Sequence, residues 1–295
     1  MYHKMEGSFS CDALPLMNLT DPITHDAWLY TTIEEWFVKL LFPLTLLIGV
    51  TGNGAFLYVV IRVKRMHTVT NYYLFNLAIA DIIYVSYNTA GFIFVYISSP
   101  VRYDVDAFIQ NTIGCYILVM PIYASYVGSI CLVTLVTLER YYGILMPLKH
   151  RMINTKSRTK KIIALSWLVS IAIGTCATML FGKHQHYCVL WPENDSKFID
   201  FPDRVTFCEP LHKDIVLVSE LSKVIPFFVA LVWNGYMFAR IIYSLGNRDT
   251  AVTVSGSDGA EDRMLKVRNQ VARMLIINGS IFFICQVCNL SKTKC

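Results

Sequence analysis

Two places in the chain hold charge where charge is costly. Glu139 and Arg140 stand side by side in Thr137-Leu-Glu-Arg-Tyr-Tyr-Gly-Ile-Leu-Met-Pro-Leu-Lys-His150, where a long apolar run ends. A charged pair at the end of a membrane-length helix is expensive unless it is partnered or lies at the water boundary. As an exposed ion pair it would contribute little. As a switch, Glu139 would hold Arg140 in one state and release it to face a partner in another, since only a few kcal/mol separate such states. Asp81, in Asn76-Leu-Ala-Ile-Ala-Asp81, is the only carboxylate of a second apolar run. An acid at membrane depth is a functional candidate, and Asn53 and Ser129 offer oxygens beside it for a small cation or a water cluster. Its plainer role is hydrogen bonding between helices.

Other spacings carry less. His184 and His186 have a metal-like spacing, and Cys285-Gln-Val-Cys288 matches a redox or zinc spacing. The histidines lie in a loop, where such pairs are ordinarily surface, and the cysteines lie in an apolar helix without further ligands. Neither is read as a metal centre. The chain has no Gly-rich phosphate loop, no Gly-x-Ser-x-Gly, no His-Glu-x-x-His and no acid pair suited to hydrolysis. Catalysis and a catalytic cofactor are not expected.

The elements that must position these residues are membrane helices. The 295 residues are 55% hydrophobic and only 16% charged, against about a quarter charged in a soluble domain. The formal charge of +5 gathers in short loops between apolar runs, which favours membrane topology over a nucleic-acid-binding face. Spanning the hydrocarbon layer takes about 20 mostly apolar residues. Candidate spans run about Trp36–Ile61, Tyr72–Ile97, Thr112–Tyr142, Ile162–Phe181, Ile215–Leu245 and Met274–Leu290. Alternation is absent and the runs are too long for barrel strands. The fold class is therefore all-α integral membrane. A polar tail precedes the bundle over residues 1–35, the bundle covers 36–290, and 291–295 form a divergent end. No removable signal peptide is evident in the tail. Gly246–Glu261 reads as a flexible linker.

Orientation follows from basic residues. Arg62, Lys64, Arg65 and His67 fill the first short loop, and Lys149, His150, Arg151, Lys156, Arg158, Lys160 and Lys161 form an acid-free second one. Basic loops inside place the N-terminus outside. The sequons at Asn18 and Asn194 then lie outside and could carry glycans, whereas those at Asn278 and Asn289 fall within a span. Cys115 precedes Arg140 by 25 residues, a bilayer thickness at about 1.5 Å per residue. Outside the cell a cysteine favours disulfides, and the outer segment 182–214 offers Cys188 and Cys208. Cys208 is preferred, because it stands nearer the fifth span and could pin the loop over the bundle; Cys188 is left to Cys11. Cys131 and Cys176, within spans, read as small apolar fillers. Pro43, Pro121 and Pro226 are tolerated inside membrane helices and bend them.

Taken in order, these residues resemble the rhodopsin-like G-protein-coupled receptors. The likeness runs from about Trp36 to Cys285. It comprises Gly52-Asn53, Leu77-Ala78-Ile79-Ala80-Asp81, Cys115, Ser129, Glu139-Arg140-Tyr141, Pro147-Leu148, Trp167 and Pro226, then Arg273-Met274-Leu275 with Phe282-Phe283-Ile284-Cys285. The resemblance implies a seven-helix bundle in the plasma membrane that binds an agonist outside and drives nucleotide exchange on a heterotrimeric G protein inside. By it, Arg140 would meet the C-terminal helix of the G protein, beside Glu139 and Tyr141, and Leu148 would fill a pocket on its α subunit. Asp81 and Ser129 would hold an allosteric sodium ion. Pro121-Ile122-Tyr123 stands where amine receptors carry an aspartate, which disfavours an amine. Helices two, three and six look most like peptide receptors of the neuromedin U and thyrotropin-releasing-hormone groups, with Phe92, Tyr123 and Tyr126 lining the pocket.

Three departures qualify what the resemblance implies. Asn234 replaces a tyrosine of helix five, Cys285-Gln286-Val287-Cys288 replaces Cys-Trp-x-Pro, and no seventh helix follows before Cys295. Gln286–Cys295 is accordingly expected not to be receptor sequence, and this form is expected to fold poorly, stay in the endoplasmic reticulum and signal little. The other readings are a form that restrains the full-length receptor and a transporter, which the lack of repeats disfavours.

Overall fold

A computed structural model gives the structure of the protein and describes residue 11 and residues 14–107, 109–180, 183–192, 195–211 and 215–255. The sixth span, Asn194, Asn278, Asn289, Cys285, Cys288 and Gln286–Cys295 lie outside the described residues. In chain order the elements are β1 (Leu16–Asn18), α1 (Pro22–Trp28), α2 (Thr32–Trp36), a π-helical turn (Phe37–Leu41), α3 (Phe42–Arg62), α4 (Val69–Ser98), α5 (Thr112–Leu145), α6 (Pro147–Ile153), α7 (Lys156–Leu180), β2 (Lys183–Leu190), β3 (Arg204–Glu209) and α8 (Ile215–Ser255). Among the described residues five helices are long and apolar enough to cross a membrane: Thr32–Arg62, Val69–Ser98, Thr112–Leu145, Lys156–Met179 and Val224–Ser244.

The helix ends follow local chemistry. The first span begins at Thr32 rather than Trp36, because Thr31 and Glu34 form a reciprocal cap: the Glu34 amide donates to Thr31 Oγ1 at 3.3 Å and the Thr31 amide donates to Glu34 Oε2 at 2.9 Å. Pro43 has no amide hydrogen, and its ring would press on the carbonyl four residues back. The helix widens into its π turn just before it, with the Phe42 amide reaching back to the Phe37 carbonyl. At the end of α5, Met146 leaves helical geometry at φ −131°, ψ 61° ahead of Pro147, since a residue before proline avoids the α region. Pro147 then opens α6, its fixed φ suited to a first helical turn. What reads as a basic loop thus holds a short helix. Likewise α8 continues to Ser255, through ten residues expected as linker: once a helix exists, each added residue gains a bond without a new nucleation cost.

The chain divides into two compact units. Among the described residues, one takes in those up to Phe56, Ile79–Tyr126 and Ser170–Ser219; the other takes in Leu57–Ala78, Val127–Val169 and those from Glu220 on. The spans are helical as expected, and the first unit adds to them a small three-stranded sheet in the order β1-β2-β3. β1 runs parallel to β2, with Leu16 opposite Cys188, and β2 pairs antiparallel with β3, with His186 opposite Thr206. The helical period is absent from these strands. Tyr187 and Val189, then Val205 and Phe207, alternate with polar residues, so one face packs with Leu19, Val101 and Trp28 into an apolar core. Disulfides Cys11–Cys188 and Cys115–Cys208, with Cα separations of 5.9 and 5.7 Å, tie the sheet to the tail and to α5. Both preferred pairings hold.

Within this unit α7 lies against α5 at Gly174. A Cβ added there would stand 2.9 Å from the Ala124 amide nitrogen and 3.0 Å from its Cβ. The obstacle is backbone and cannot swing aside, so small residues are required for this approach. Gly174→Ala should lower thermal stability in lipid nanodiscs by about 1–3 kcal/mol, and Ala124→Gly should restore only part of it. An unchanged melting temperature for Gly174→Ala would refute the close contact.

Candidate functional site

The first unit brings aromatic rings together where α3, α4 and the following loop meet. Phe92 of α4 lies 5.8 Å from the Phe42 ring and 6.3 Å from that of Tyr103. Tyr126 of α5 is buried and lies 6.3 Å from Tyr84, and Tyr123, one turn earlier in the helix, is half-buried. Tyr103 is a residue that sequence reading missed. It occupies the left-handed region at φ 61°, a conformation that a bulky side chain adopts only when its surroundings impose it. Its neighbour Arg102 imposes it: the Arg102 amide donates to the Trp28 carbonyl at 2.9 Å, Nε donates to the Leu29 carbonyl at 2.7 Å, and Nη1 meets Glu34 at 2.9 Å. The phenol ring is left 58% exposed. No short motif announces this, since the anchor comes from residues far apart in the chain.

The second face of the sheet is polar and closely bonded. Asp106 Oδ2 accepts from Arg204 at 2.8 Å, and Asp106 Oδ1 accepts from the Thr206 hydroxyl at 2.5 Å. His186 Nδ1 lies 2.7 Å from that hydroxyl oxygen, and His184 Nε2 lies 3.1 Å from the Ile109 carbonyl. Burial, then the neighbouring His184 and Arg204, push His186 below the usual imidazole range, against the pull of Asp106. Tyr187, on the opposite face, is raised to about 12 by burial and by its bond to Glu209. Asp104 is buried, and its Oδ1 accepts the amides of Asp106 at 3.1 Å and Thr206 at 2.9 Å. Burial nevertheless outweighs these bonds and lifts its carboxyl above the usual range. Among the described residues no group of three or more His, Cys, Asp and Glu side chains comes together to hold a metal ion.

The second unit gathers polar side chains around Glu139. Its Oε2 accepts from the Thr70 hydroxyl of α4 at 3.0 Å and lies 3.5 Å from Arg140 Nε, while Oε1 lies 3.1 Å from His150 Nε2 of α6. The Arg140 contact is ionic but undirected, for Arg140 Nε is buried without a hydrogen bond. His150 Nε2 faces a carboxylate and therefore carries the hydrogen. Asn154 Nδ2 lies 3.1 Å from the same nitrogen, and Asn154 Oδ1 is buried without a hydrogen-bond partner among the described residues. Thr70 and His150 were not singled out by sequence; the signal was Pro147, which restarts the helix and brings His150 back against α5. Tyr141 packs with Leu145 and Phe238 on the Ile144–Ile241 cluster. Leu148, by contrast, is 79% exposed at the first turn of α6.

Three further residues find definite partners. Trp167 Nε1 donates to Asn76 Oδ1 at 3.1 Å, so it is more than a lipid-facing ring. Asn234 is fully buried, and its Nδ2 donates to Thr134 Oγ1 at 2.9 Å and to the Ala230 carbonyl at 2.8 Å. Asp81 is half-buried on α4 and Ser129 is buried on α5.

The model of the 7 transmembrane receptor (rhodopsin family) matches residues 52–291, running past Cys285, where the motifs set the end of the likeness. The chain is 29% identical to the Substance-K receptor of Mus musculus over 245 residues, which is 81% of this chain and 57% of that receptor. It is 29% identical to that of Homo sapiens, covering 81% and 55%, and 30% identical to that of Rattus norvegicus, covering 81% and 56%. The chain spans little more than half the length of the curated relatives it matches.

The raised carboxyl of Asp104 gives a signed expectation. The folded state keeps this proton at pH values where the unfolded chain has lost it, so the contribution to stability is greatest in acid and falls as pH rises through the carboxylate range toward the raised value. At neutral pH the buried charge is then a net cost. Asp104→Asn keeps an oxygen for the two amides and should melt at or above the parent at pH 7.5, with the difference closing below pH 4. A variant much less stable than the parent at pH 7.5 would contradict this.

Proposed function

The chain belongs to the rhodopsin family of seven-transmembrane receptors, and on that premise we propose that it is a peptide-activated G-protein-coupled receptor. The observation that carries the reading is the Glu139 cluster. It holds an arginine beside a carboxylate at the inner end of α5 through contacts that can exchange partners. Relatives named for substance K favour a peptide as the outer ligand. Phe92, Tyr123 and Tyr126 are the proposed ligand contacts, and Tyr103 joins them. Inside, Arg140 and Tyr141 form the G-protein switch, and the exposed Leu148 is the apolar contact that α6 offers to the α subunit. Asp81 and Ser129 are the proposed ligands of an allosteric sodium ion.

The N-terminus lies outside in this reading. Two disulfides in one unit suit an oxidising compartment, and the acid-free basic segment around α6 suits the inner surface. Asn18 is exposed, and its Oδ1 accepts from the Thr20 hydroxyl at 2.8 Å, leaving the amide nitrogen free for a glycan; Asn194 is the second proposed acceptor. The proposed location is the plasma membrane.

The test is nucleotide exchange on a purified heterotrimeric G protein by the chain in nanodiscs, with substance K as the probe. Peptide-stimulated exchange that falls by roughly tenfold in Arg140→Ala, with peptide binding retained, supports the proposal. Binding without exchange, or exchange indifferent to Arg140→Ala, overturns it. Surface labelling of the same chain in cells reports whether it reaches the plasma membrane or stays in the endoplasmic reticulum.

A further inference from the structure

The tautomers of His184 and His186 follow from their neighbours. The Ile109 carbonyl can only accept, so the hydrogen of His184 is on Nε2 and Nδ1 is bare. The Thr206 hydroxyl hydrogen goes to Asp106. Its oxygen must therefore accept from His186 Nδ1, which leaves His186 Nε2 bare. Each imidazole thus gives its N–H to an oxygen of the fold and keeps one free lone pair. That is the arrangement of histidines that ligate metal ions, with a carbonyl or a carboxylate-linked oxygen behind the ring.

Spacing agrees with chemistry. Residues two apart on a strand share a face, and β2 places both histidines on the face turned from the apolar core. Their ring centres are 4.6 Å apart, with the planes at 86°. Two imidazoles sharing one ion at about 2.1 Å per nitrogen put their ring centres roughly 4.5–5.3 Å apart. The nearby positive charge of Arg204 is drawn off by Asp106 Oδ2 at 2.8 Å, which lowers its repulsion of an incoming cation. We propose that His184 and His186 form an open, two-nitrogen site for a divalent transition cation, zinc or copper, on the sheet of the first unit. Two protein nitrogens leave the remaining positions to water or to an incoming donor, which distinguishes this site from a closed cluster of three or four side chains.

The test uses the whole chain, free of any polyhistidine tag, in metal-free nanodiscs. Zinc binding is followed by calorimetry, and copper binding by electron paramagnetic resonance. His184→Gln and His186→Asn keep an N–H where the fold uses one but remove the bare ring nitrogen. The expected result is one zinc equivalent more in the parent than in the double variant. Either single variant should bind at least about tenfold more weakly, and so should Asp106→Asn, which loosens the group behind His186. The copper spectrum of the parent should show two imidazole nitrogens, and that of each single variant one. Zinc stoichiometry and affinity unchanged in the double variant, or a parent copper spectrum without a two-imidazole pattern, would overturn the proposal. The copper measurement on the parent decides even if a variant fails to fold, and neither measurement depends on G-protein coupling.

Discussion

A hydrocarbon layer offers backbone groups no water, and every span must satisfy its own amides and carbonyls. That constraint explains why the apolar stretches of this chain are helices and why its described strands lie in polar segments, β1 in the tail and β2 and β3 between α7 and α8. It also governs side chains at depth. Thr45, Thr51, Thr134, Thr137, Thr175 and Thr178 each donate the hydroxyl to the carbonyl four residues back, at 2.6–2.9 Å. Ser125 does the same to the carbonyl of Pro121. Polar residues in these helices are first a way to close local hydrogen-bonding demand, and Asn76 and Asn234 do this while also reaching another helix.

Burial is uneven among the spans. Half of the α5 span is buried, against 6% of the first. The residues with chemistry follow that ordering: Cys115, Tyr126, Ser129, Glu139 and Arg140 all belong to α5. A helix surrounded by protein can carry polar groups because neighbours solvate them, whereas one facing lipid cannot. The first span instead presents Leu44, Leu47, Ile48 and Ile61 outward.

Much of this was legible in the sequence. Apolar run length located the five described spans, because a span is a property of composition over some twenty positions, but it missed the starts of the fourth and fifth, expected at Ile162 and Ile215 and found at Lys156 and Val224. Cys208 and Cys188 were assigned from compartment and position, and the structure joins them to Cys115 and Cys11. What escaped depends on a few residues or on contacts across long intervals. The cap at Thr31 moved a helix start by four residues, and Pro147 turned a loop into α6. The sheet was hidden because β2 is only eight residues long and pairs with a tail strand more than 160 positions away. Thr70 and His150 were hidden because a carboxylate does not announce which of many hydroxyls and imidazoles it will meet.

The two units are held by different kinds of bond, and the difference bears on what each can do. The first unit is closed by two covalent links with sequence separations of 177 and 93 residues, and by a ladder of strand hydrogen bonds. Such links restrict rearrangement and suit a surface that must keep its shape for recognition. Among its described residues the second unit has no disulfide, and one carboxylate in it is shared by a threonine, an arginine and a histidine. A group with three competing partners loses little by exchanging one for another, because the remaining two still solvate its charge. Arg140, whose Nε has an ionic contact and no directed bond among the described residues, is the partner whose departure costs least. On the proposed function, recognition would rest on covalent geometry and response on exchangeable geometry, and the two are separable in this chain because they belong to different units.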